Sequence, residues 1–550
     1  MMKKRTIIYL NLMTILIISL TSCQSEEVEN TYDIVVYGGT SAGISAAIQS
    51  SRMGKSVVLI EPTPKDGGLL GGLTTGGLGA TDIGNKQAIG GISREFYERI
   101  AKKYTEQKAW KFQEREGYIK KETSDIIPSM WTFEPKIAKE VFSDILKEHD
   151  IKVVYNQRLD LGKQVNKNNG AITSIVMESG TVFYGKMFID ATYEGDLMAL
   201  SGVSYTVGRE SNEQYGETLN GVQKVLGKYH QFPDGVDPYI IENDSTSGLL
   251  SNVNVNIQVD GSADERVQGY CFRMCLTDVP ENRIMVKKPQ EYNELEYELL
   301  FRTIEAGYQG PFFIMSKMPN GKTDSNNKGP VSSDYIGRNY DYPEGDYQAR
   351  ERIINEHEIY QKGLLWTLAN HPRIPEKIRD KFSQWGLPKD EFTENGHWTP
   401  QLYIREARRM VSDFVMTEHH CTQTNISADQ SVGMGAYTMD SHHMQRYIDK
   451  NGFVKNEGDV EVGGFAPYPI SYKALVPKKS ECINLVVPVC LSATHVAFGS
   501  IRMEPVFMVL GQSAAIAVSL AINDQVPVQD IDYNELKKIL LSKGQVLSVK

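Results

Sequence analysis

Six cysteines are scattered through 550 residues, and no two of them form a Cys-x-x-Cys pair. Iron–sulfur ligation is therefore not expected. Histidine is also sparse, ten in all, and no His-Glu-x-x-His occurs. A metal centre needs three or four converging ligands, so none is expected. His419-His420 and His442-His443 are adjacent pairs. Neighbours in an extended segment point opposite ways, so at most one of each pair would face a site. There is no basic cluster, and 59 Lys and Arg stand against 69 Asp and Glu. Such a chain does not hold nucleic acid by phosphate contacts. Low-complexity tracts and internal repeats are absent too, and the composition is that of an ordinary globular protein of two or three domains.

One mostly apolar run is short and N-terminal. Lys3, Lys4 and Arg5 precede a mostly apolar stretch from Ile7 to Leu20, 14 residues, too short to span a bilayer comfortably. Leu20-Thr21-Ser22-Cys23 follows and resembles a bacterial lipobox. Residues 1–22 read as a signal peptide and 23–30 as a tether. A lipid on Cys23 would anchor the protein to the membrane outside the cytoplasm, with an uncleaved anchor as the alternative. Gln24-Ser25-Glu26-Glu27 resembles a surface-export tether, which leaves periplasm and outer-membrane surface both open. Losing residues 1–22 removes three positive charges and no acids, so the net charge moves from −10 to −13. Besides Cys23 there are five cysteines; disulfides are permitted in that compartment, but an odd number leaves one unpaired.

What the chain does have begins at residue 33. Asp33-Ile34-Val35-Val36-Tyr37 is the pattern of a buried parallel strand. Gly38-Gly39-Thr40-Ser41-Ala42-Gly43 follows at once, then a helix of small residues from Ile44 to Met53, then a second buried strand, Val57 to Ile60, with Glu61 at its end. Strand, Gly-rich turn, helix, strand and acid is the order of a Rossmann unit, which seats pyrophosphate on a helix N-terminus and ribose on an acid. Gly38 would make the tight turn and Gly43 would let helix and strand approach closely. Glu61 would accept from ribose and repel a phosphorylated ribose, which argues against NADP. Thr40 departs from the motif at the second glycine position, where its hydroxyl is expected to contact pyrophosphate.

Residues 66–79 contain seven glycines, among them Gly71 and Gly72, with Thr74 between the glycine pairs. Glycine loses most backbone entropy on ordering, so this stretch suits backbone laid against an extended ligand. A second Gly-rich segment directly after the ribose acid is more typical of FAD enzymes than of NAD dehydrogenases.

Four further blocks sharpen the likeness. They are Phe188-Ile189-Asp190-Ala191-Thr192-Tyr193-Glu194-Gly195-Asp196-Leu197, Arg405-Glu406-Ala407-Arg408-Arg409-Met410, Met439-Asp440-Ser441-His442-His443, and the stretch from Ser492 to Pro505. With them the sequence resembles a bacterial family of FAD-dependent oxidoreductases in the glutathione-reductase-like superfamily, over roughly residues 31–525. The redox-active disulfide motif of glutathione-reductase-type enzymes is missing, so the likeness is to the fold and not to that chemistry. The resemblance implies an α/β protein: a Rossmann-like FAD-binding domain with an inserted α+β substrate domain. It implies that residues 31–204 and the last part of 401–525 bind FAD, that 205–400 face the substrate, and that 526–550 form a tail. It implies cofactor contacts at Gly38, Gly39, Thr40, Ser41, Ala42, Gly43, Glu61, Gly71, Gly72, Thr74, Ala191, Thr192 and Gly511. Leu485 to Val489 reads as a strand, followed by a loop carrying His495 and Arg502. Glu504-Pro505 then opens a helix running to about Ile522, with proline in its first turn. In the superfamily such a helix points its positive end at the flavin pyrimidine.

The middle of the chain is less explicit. Ile172 to Met177 and Val182 to Phe188 read as a hairpin. Arg273 stands in an apolar stretch, where it either pairs with an acid or binds an anionic group. Residues 317–347 are rich in Gly, Asn, Asp and Ser and read as a long loop or lid. Its tyrosines suit either sugar rings or packing onto the domain. Gln401 to Thr417 reads as a helix that would place Arg405 and Arg409 on one face. Asp190, Glu194 and Asp196 suit the flavin environment or serve as helix-start carboxylates.

The expected function is oxidation of a small polar substrate, such as a sugar derivative, by hydride transfer to FAD. His495 is the first candidate for the base and Arg502 for substrate or flavin contact. The electron acceptor is not readable, although a soluble NADH pool is not expected outside the cytoplasm. Two alternatives stay open: a non-redox polysaccharide lyase on the same scaffold, and a glycan-binding lipoprotein with a vestigial nucleotide fold.

Overall fold

The run from Asp33 to Tyr37 forms the greater part of β1 (Thr31–Tyr37), and strands on both sides run parallel to it. The computed structural model describes residues 30–67, 69–122, 129–424 and 426–549. The expected signal peptide, Cys23 and the tether up to residue 29 lie outside the described residues. After β1 come α1 (Ser41–Arg52) and β2 (Val57–Glu61). Helices α2 (Gly91–Lys103) and α3 (Pro135–Glu148) lead to β3 (Lys152–Tyr155). A meander of β4 (Asn166–Asn168), β5 (Ala171–Val176) and β6 (Val182–Asp190) brings the chain back to β1. The strand order is β3-β2-β1-β6-β5-β4. Ile34, Val35, Val36, Val58, Leu59 and Ile60 are all fully buried, which is why these strands read as unbroken apolar runs. The chain leaves β1 on one side for β2 and returns on the other as β6, so a topological switch point opens at their carboxyl ends.

The hairpin expected at 172–188 is β5–β6. In the middle of the chain the main elements are β7 (Met274–Thr277), the hairpin of β8 (Phe313–Met318) and β9 (Lys322–Asn327), and α4 (Tyr347–Asn370). These pack a second apolar cluster that also takes in Trp398, Leu402, Ile404, Ala407 and Val454. Toward the C-terminus, β10 (Met439–Ser441) pairs with β11 (Val460–Val462). A two-residue β12 (Leu485–Val486) joins β6, shorter than the expected strand to Val489. Helices α5 (His495–Ile501), α6 (Glu504–Asp524) and α7 (Tyr533–Ser542) follow.

Helix α6 begins at Glu504-Pro505 as expected. It is apolar all round because it lies inside the molecule, against α1. Its length and hydropathy would suffice to cross a membrane, yet it is buried in the core. Gly511 explains the close helix contact: a Cβ there would lie 2.2 Å from the Ala42 carbonyl oxygen.

Several expectations need correction. Residues 317–347 are not a lid. They contain β9 and a buried segment in which Tyr335 stacks on Tyr360 at 4.0 Å and the Tyr342 hydroxyl donates to Glu194. The polar strand residues Thr323, Asp324 and Ser325 are buried and hydrogen-bonded, so polarity there did not mean exposure. Residues 401–417 are not a helix. Short strands at Leu402–Tyr403 and Arg409–Met410 occur instead. Arg405 pairs with Asp334, Arg408 with Asp196, and Arg409 with Glu210, three partners in different places that one helix face could not reach. His495 lies in a helix, not a loop, with Arg502 at its end. Within the expected C-terminal tail, α7 buries Leu536 and Leu540, and Gln545 donates to Gln512 and to the Val509 carbonyl.

Candidate functional site

The Gly-rich turn is built by close contacts that only glycine permits. Gly38 has φ +105°, and a Cβ on it would lie 2.7 Å from the Thr192 nitrogen. A Cβ on Gly43 would lie 1.9 Å from the Gly38 carbonyl oxygen. The Gly39 N–H donates to Glu61 Oε2 at 3.1 Å, and Thr63 donates to Glu61 Oε1 from its N–H and its hydroxyl. Burial pushes the Glu61 carboxyl up, opposed by these hydrogen bonds. Gly71, at φ +103°, donates its N–H to the Gly39 carbonyl at 2.7 Å, so the second Gly-rich segment runs along the first.

A cavity of about 840 Å³ opens at this edge. Gly38, Gly39, Thr40, Glu61, Gly72 and Thr192 line it, and Arg158, Tyr347 and Arg350 form its far wall. Ser41, Ala42, Gly43, Gly71, Thr74 and Ala191 stand in or directly behind the same turn. The first turn of α1 carries no acid of its own, and its positive end favours an anion, although the Glu504 carboxylate accepts its Ser41 hydroxyl. These residues fit a bound FAD. Glu61 is placed to accept from ribose, and the amides opening α1 are placed to hold the pyrophosphate.

Two of the expected cofactor contacts do something else. The Thr40 hydroxyl donates to the Ala191 carbonyl at 2.7 Å and accepts from the Gly43 N–H, capping α1. It is engaged with the protein rather than aimed at pyrophosphate. Gly511 packs on Ala42, away from the cavity. Conversely, Glu504 was not singled out as a site residue. Its buried carboxylate accepts hydroxyls from Ser41, Thr74 and Tyr193 at 2.6 to 2.7 Å, tying both Gly-rich segments to the start of α6. From sequence it is only an ordinary first-turn acid.

A second cavity, about 700 Å³, is lined by Lys328, Tyr437, Asp440, His442, Asp459 and Glu461, among others. Behind it runs a closed ring of side chains. Arg405 pairs with Asp334 at 3.0 Å, and Asp334 Oδ2 meets His442 Nδ1 at 2.7 Å. His442 Nε2 is 3.6 Å from Asp440 Oδ2, which Arg502 contacts at 3.3 Å. Arg502 donates to the Tyr403 hydroxyl, and the Arg405 guanidinium lies 4.6 Å over the Tyr403 ring. Burial alone would raise Asp440, but His442 and Arg502 hold it at about 2. Burial and Arg405 would lower His442, yet Asp334 and Asp440 outweigh them and its pKa stands above the usual histidine value.

Tyr437 in the cavity wall is linked to the end of the Gly-rich segment. The Tyr437 hydroxyl donates to Asp82 at 3.4 Å, and Arg273 bridges Asp82 and Asp324. Asp324 accepts the N–H groups of Gly79 and Ala80. Arg273 is thus paired with acids, the structural alternative open from sequence. Asp190 caps Thr192 and Met198, and Asp196 pairs with Arg350 and Arg408.

His495 is not placed as a base. It is 2% exposed and lines neither cavity. Nδ1 meets Glu406 at 2.7 Å and Nε2 meets the Ser441 hydroxyl at 3.0 Å, so both ring nitrogens are used inside the protein. Arg502 reaches the second cavity only through Asp440. The five described cysteines are buried free thiols. Glu134, Asp390 and Glu391 converge as carboxylates, but the Lys322 ammonium sits among them at 2.6 to 2.9 Å, where a cation would go.

A family model described as FAD dependent oxidoreductase matches residues 33–540. The chain belongs to this family: it is an FAD-dependent oxidoreductase, and its cofactor is FAD. No curated protein matches it. Among solved structures, L-proline dehydrogenase from P. horikoshii is similar at 17% identity and TM-score 0.23 over 33% of this chain, and the chain spans 59% of that protein. An L-amino acid deaminase from Proteus vulgaris, lacking its specific insertion sequence, is similar at 15% identity and TM-score 0.23 over 33% of this chain and 61% of its own.

Proposed function

We propose that this protein oxidises a small polar substrate, such as a sugar derivative, in the second cavity, and that it does so outside the cytoplasm, tethered through a lipid on Cys23. The observation that carries the reaction is the His442 imidazole in the cavity wall, held at Nδ1 by Asp334 and flanked by Asp440. Bound FAD would supply the hydride acceptor for the substrate carbon. Neutral His442 takes the hydroxyl or amine proton at Nε2, while Asp334 fixes the ring and, with Asp440, stabilises the imidazolium that forms. Arg502 holds Asp440, and Tyr403 holds Arg502. Gly38, Gly39, Gly43 and Glu61 bind the cofactor at the other end. The lipobox supports the location, where a soluble nicotinamide pool is not expected to serve as electron acceptor.

The test is the visible spectrum of the protein lacking residues 1–22, followed by anaerobic titration with sugars, amines and hydroxy acids. Flavin bands that one class of substrate bleaches are expected. Release of an unsaturated sugar with the flavin still oxidised would contradict the reading and favour a lyase.

A further inference from the structure

The geometry points to recognition of a cationic amino group: we infer that the second cavity takes an amine-bearing polar substrate, held by Asp459 and Asp440 and admitted past Glu461. The inference rests on the reading of this cavity as the substrate site and narrows its substrate class.

Asp440 on β10 and Glu461 on β11 are direct cross-strand partners. Asp459 stands directly before β11, two residues ahead of Glu461. All three line the cavity. Like charges facing each other across strands are unfavourable unless something between them compensates. Asp440 has Arg502 and His442. Among the described residues, neither Asp459 nor Glu461 forms an ion pair.

Asp459 is the decisive residue. It is only 5% exposed, and its Oδ2 is buried without a hydrogen-bond partner. Its carboxylate is reached by the Tyr229 backbone N–H. A buried unpaired carboxylate oxygen costs several kcal/mol unless a donor reaches it or it takes up a proton. A single hydroxyl would meet Oδ2 but bring no positive charge to Asp459 and Glu461. An ammonium supplies three donors and offsets their negative charge. Exposed Glu461 stands at the mouth, where it attracts a cation, and Asp459 lies deep, where it holds one. Lys328, His230, His442 and Tyr437 are the other titratable groups facing the cavity.

Proton linkage follows from the same placement. Burial first, then Glu461 and Asp440, push the Asp459 carboxyl up to about 8, so without a cation beside it the carboxyl is protonated at neutral pH. An arriving ammonium displaces that proton, whereas a neutral hydroxyl leaves it in place.

The experiment is isothermal calorimetry on the FAD-loaded protein at pH 7, in buffers of different ionisation enthalpy. The probes are matched pairs differing only in amine for hydroxyl: D-glucosamine and D-glucose, D-galactosamine and D-galactose, L-serine and glycerate. In at least one pair the amine should bind tenfold or more tightly and release close to one proton per molecule. Asp459→Asn should abolish both preference and proton release with the flavin spectrum unchanged. Should that variant fail to fold, Glu461→Gln, at the exposed mouth, should weaken amine binding severalfold. No amine preference in any pair, or preference without proton release, overturns the inference. The two readings fail separately. Hydroxyl members that bleach flavin with no amine preference would remove the amine and leave the oxidase site. Amines that bind with proton release while nothing bleaches flavin would do the reverse.

Discussion

The Ser41 hydroxyl donates to Glu504 Oε2 at 2.6 Å, across 463 positions of sequence. Thr74 and Tyr193 donate to the same buried carboxylate, so the first Gly-rich turn, the second and the start of α6 meet at one side chain. Replacing Glu504 with alanine leaves three hydroxyls short of an acceptor, at roughly 1–3 kcal/mol for each that water does not reach. Glu504→Ala is expected to lose stability in urea unfolding and to purify with much less than one FAD per chain, measured by absorbance after denaturation.

Cofactor binding separates into a steric and a polar part. In Gly43→Ala the new Cβ would sit 1.9 Å from the Gly38 carbonyl oxygen, and the resulting overpacking costs 1–3 kcal/mol or more by general experience. Loss of FAD and a lower melting temperature are expected together. Glu61→Gln keeps the shape and removes the charged acceptor, so FAD affinity should fall about tenfold, near 1.4 kcal/mol, with little change in melting temperature.

His442 must be neutral to accept a proton, and its pKa is raised by Asp334 and Asp440. The rate of flavin reduction should therefore rise with pH through a value above the ordinary 6.5 of histidine. In Asp334→Asn that inflection should move down, because the largest of the influences raising it is removed.

Glu406 acts on stability rather than catalysis. Burial alone would raise its carboxyl, but His495 and Arg409 hold it at about 2, against 4.5 when unperturbed. A depressed acid stabilises the fold fully above its unfolded value and loses that contribution as pH falls toward its folded one, on the order of 3 kcal/mol here. Glu406→Gln should be about 3–5 kcal/mol less stable at pH 7, because buried Arg409 and His495 lose their anion. The gap from the unmodified protein should close as urea unfolding is repeated from pH 4.5 down to 2.

The nucleotide edge was legible because its physics is local. Buried parallel strands appear as apolar runs, and Gly38 and Gly43 are needed by contacts within a few residues of each other. The start of α6 was legible through its proline. The substrate end was not, because its meaning lies in distant partners. Arg405, Glu406 and Arg409 have the spacing of a surface helix and yet are buried, with partners at Asp334, His495 and Glu210. His442 and His495 look alike in sequence. One has Asp334 behind it and a cavity in front; the other has Glu406 on one side and Ser441 on the other. Nothing near Asp459 in the chain marks it as unpaired.

The most direct measurement is anaerobic flavin reduction by a bleaching substrate in His442→Gln and His495→Gln, each loaded with FAD. The expected result is a fall of at least a hundredfold in the reduction rate for His442→Gln at unchanged flavin content, and a His495→Gln enzyme that is less stable but reduces at near the normal rate. Reduction at the normal rate in His442→Gln, or loss of reduction only in His495→Gln, would contradict the assignment of the second cavity as the place where the substrate is oxidised.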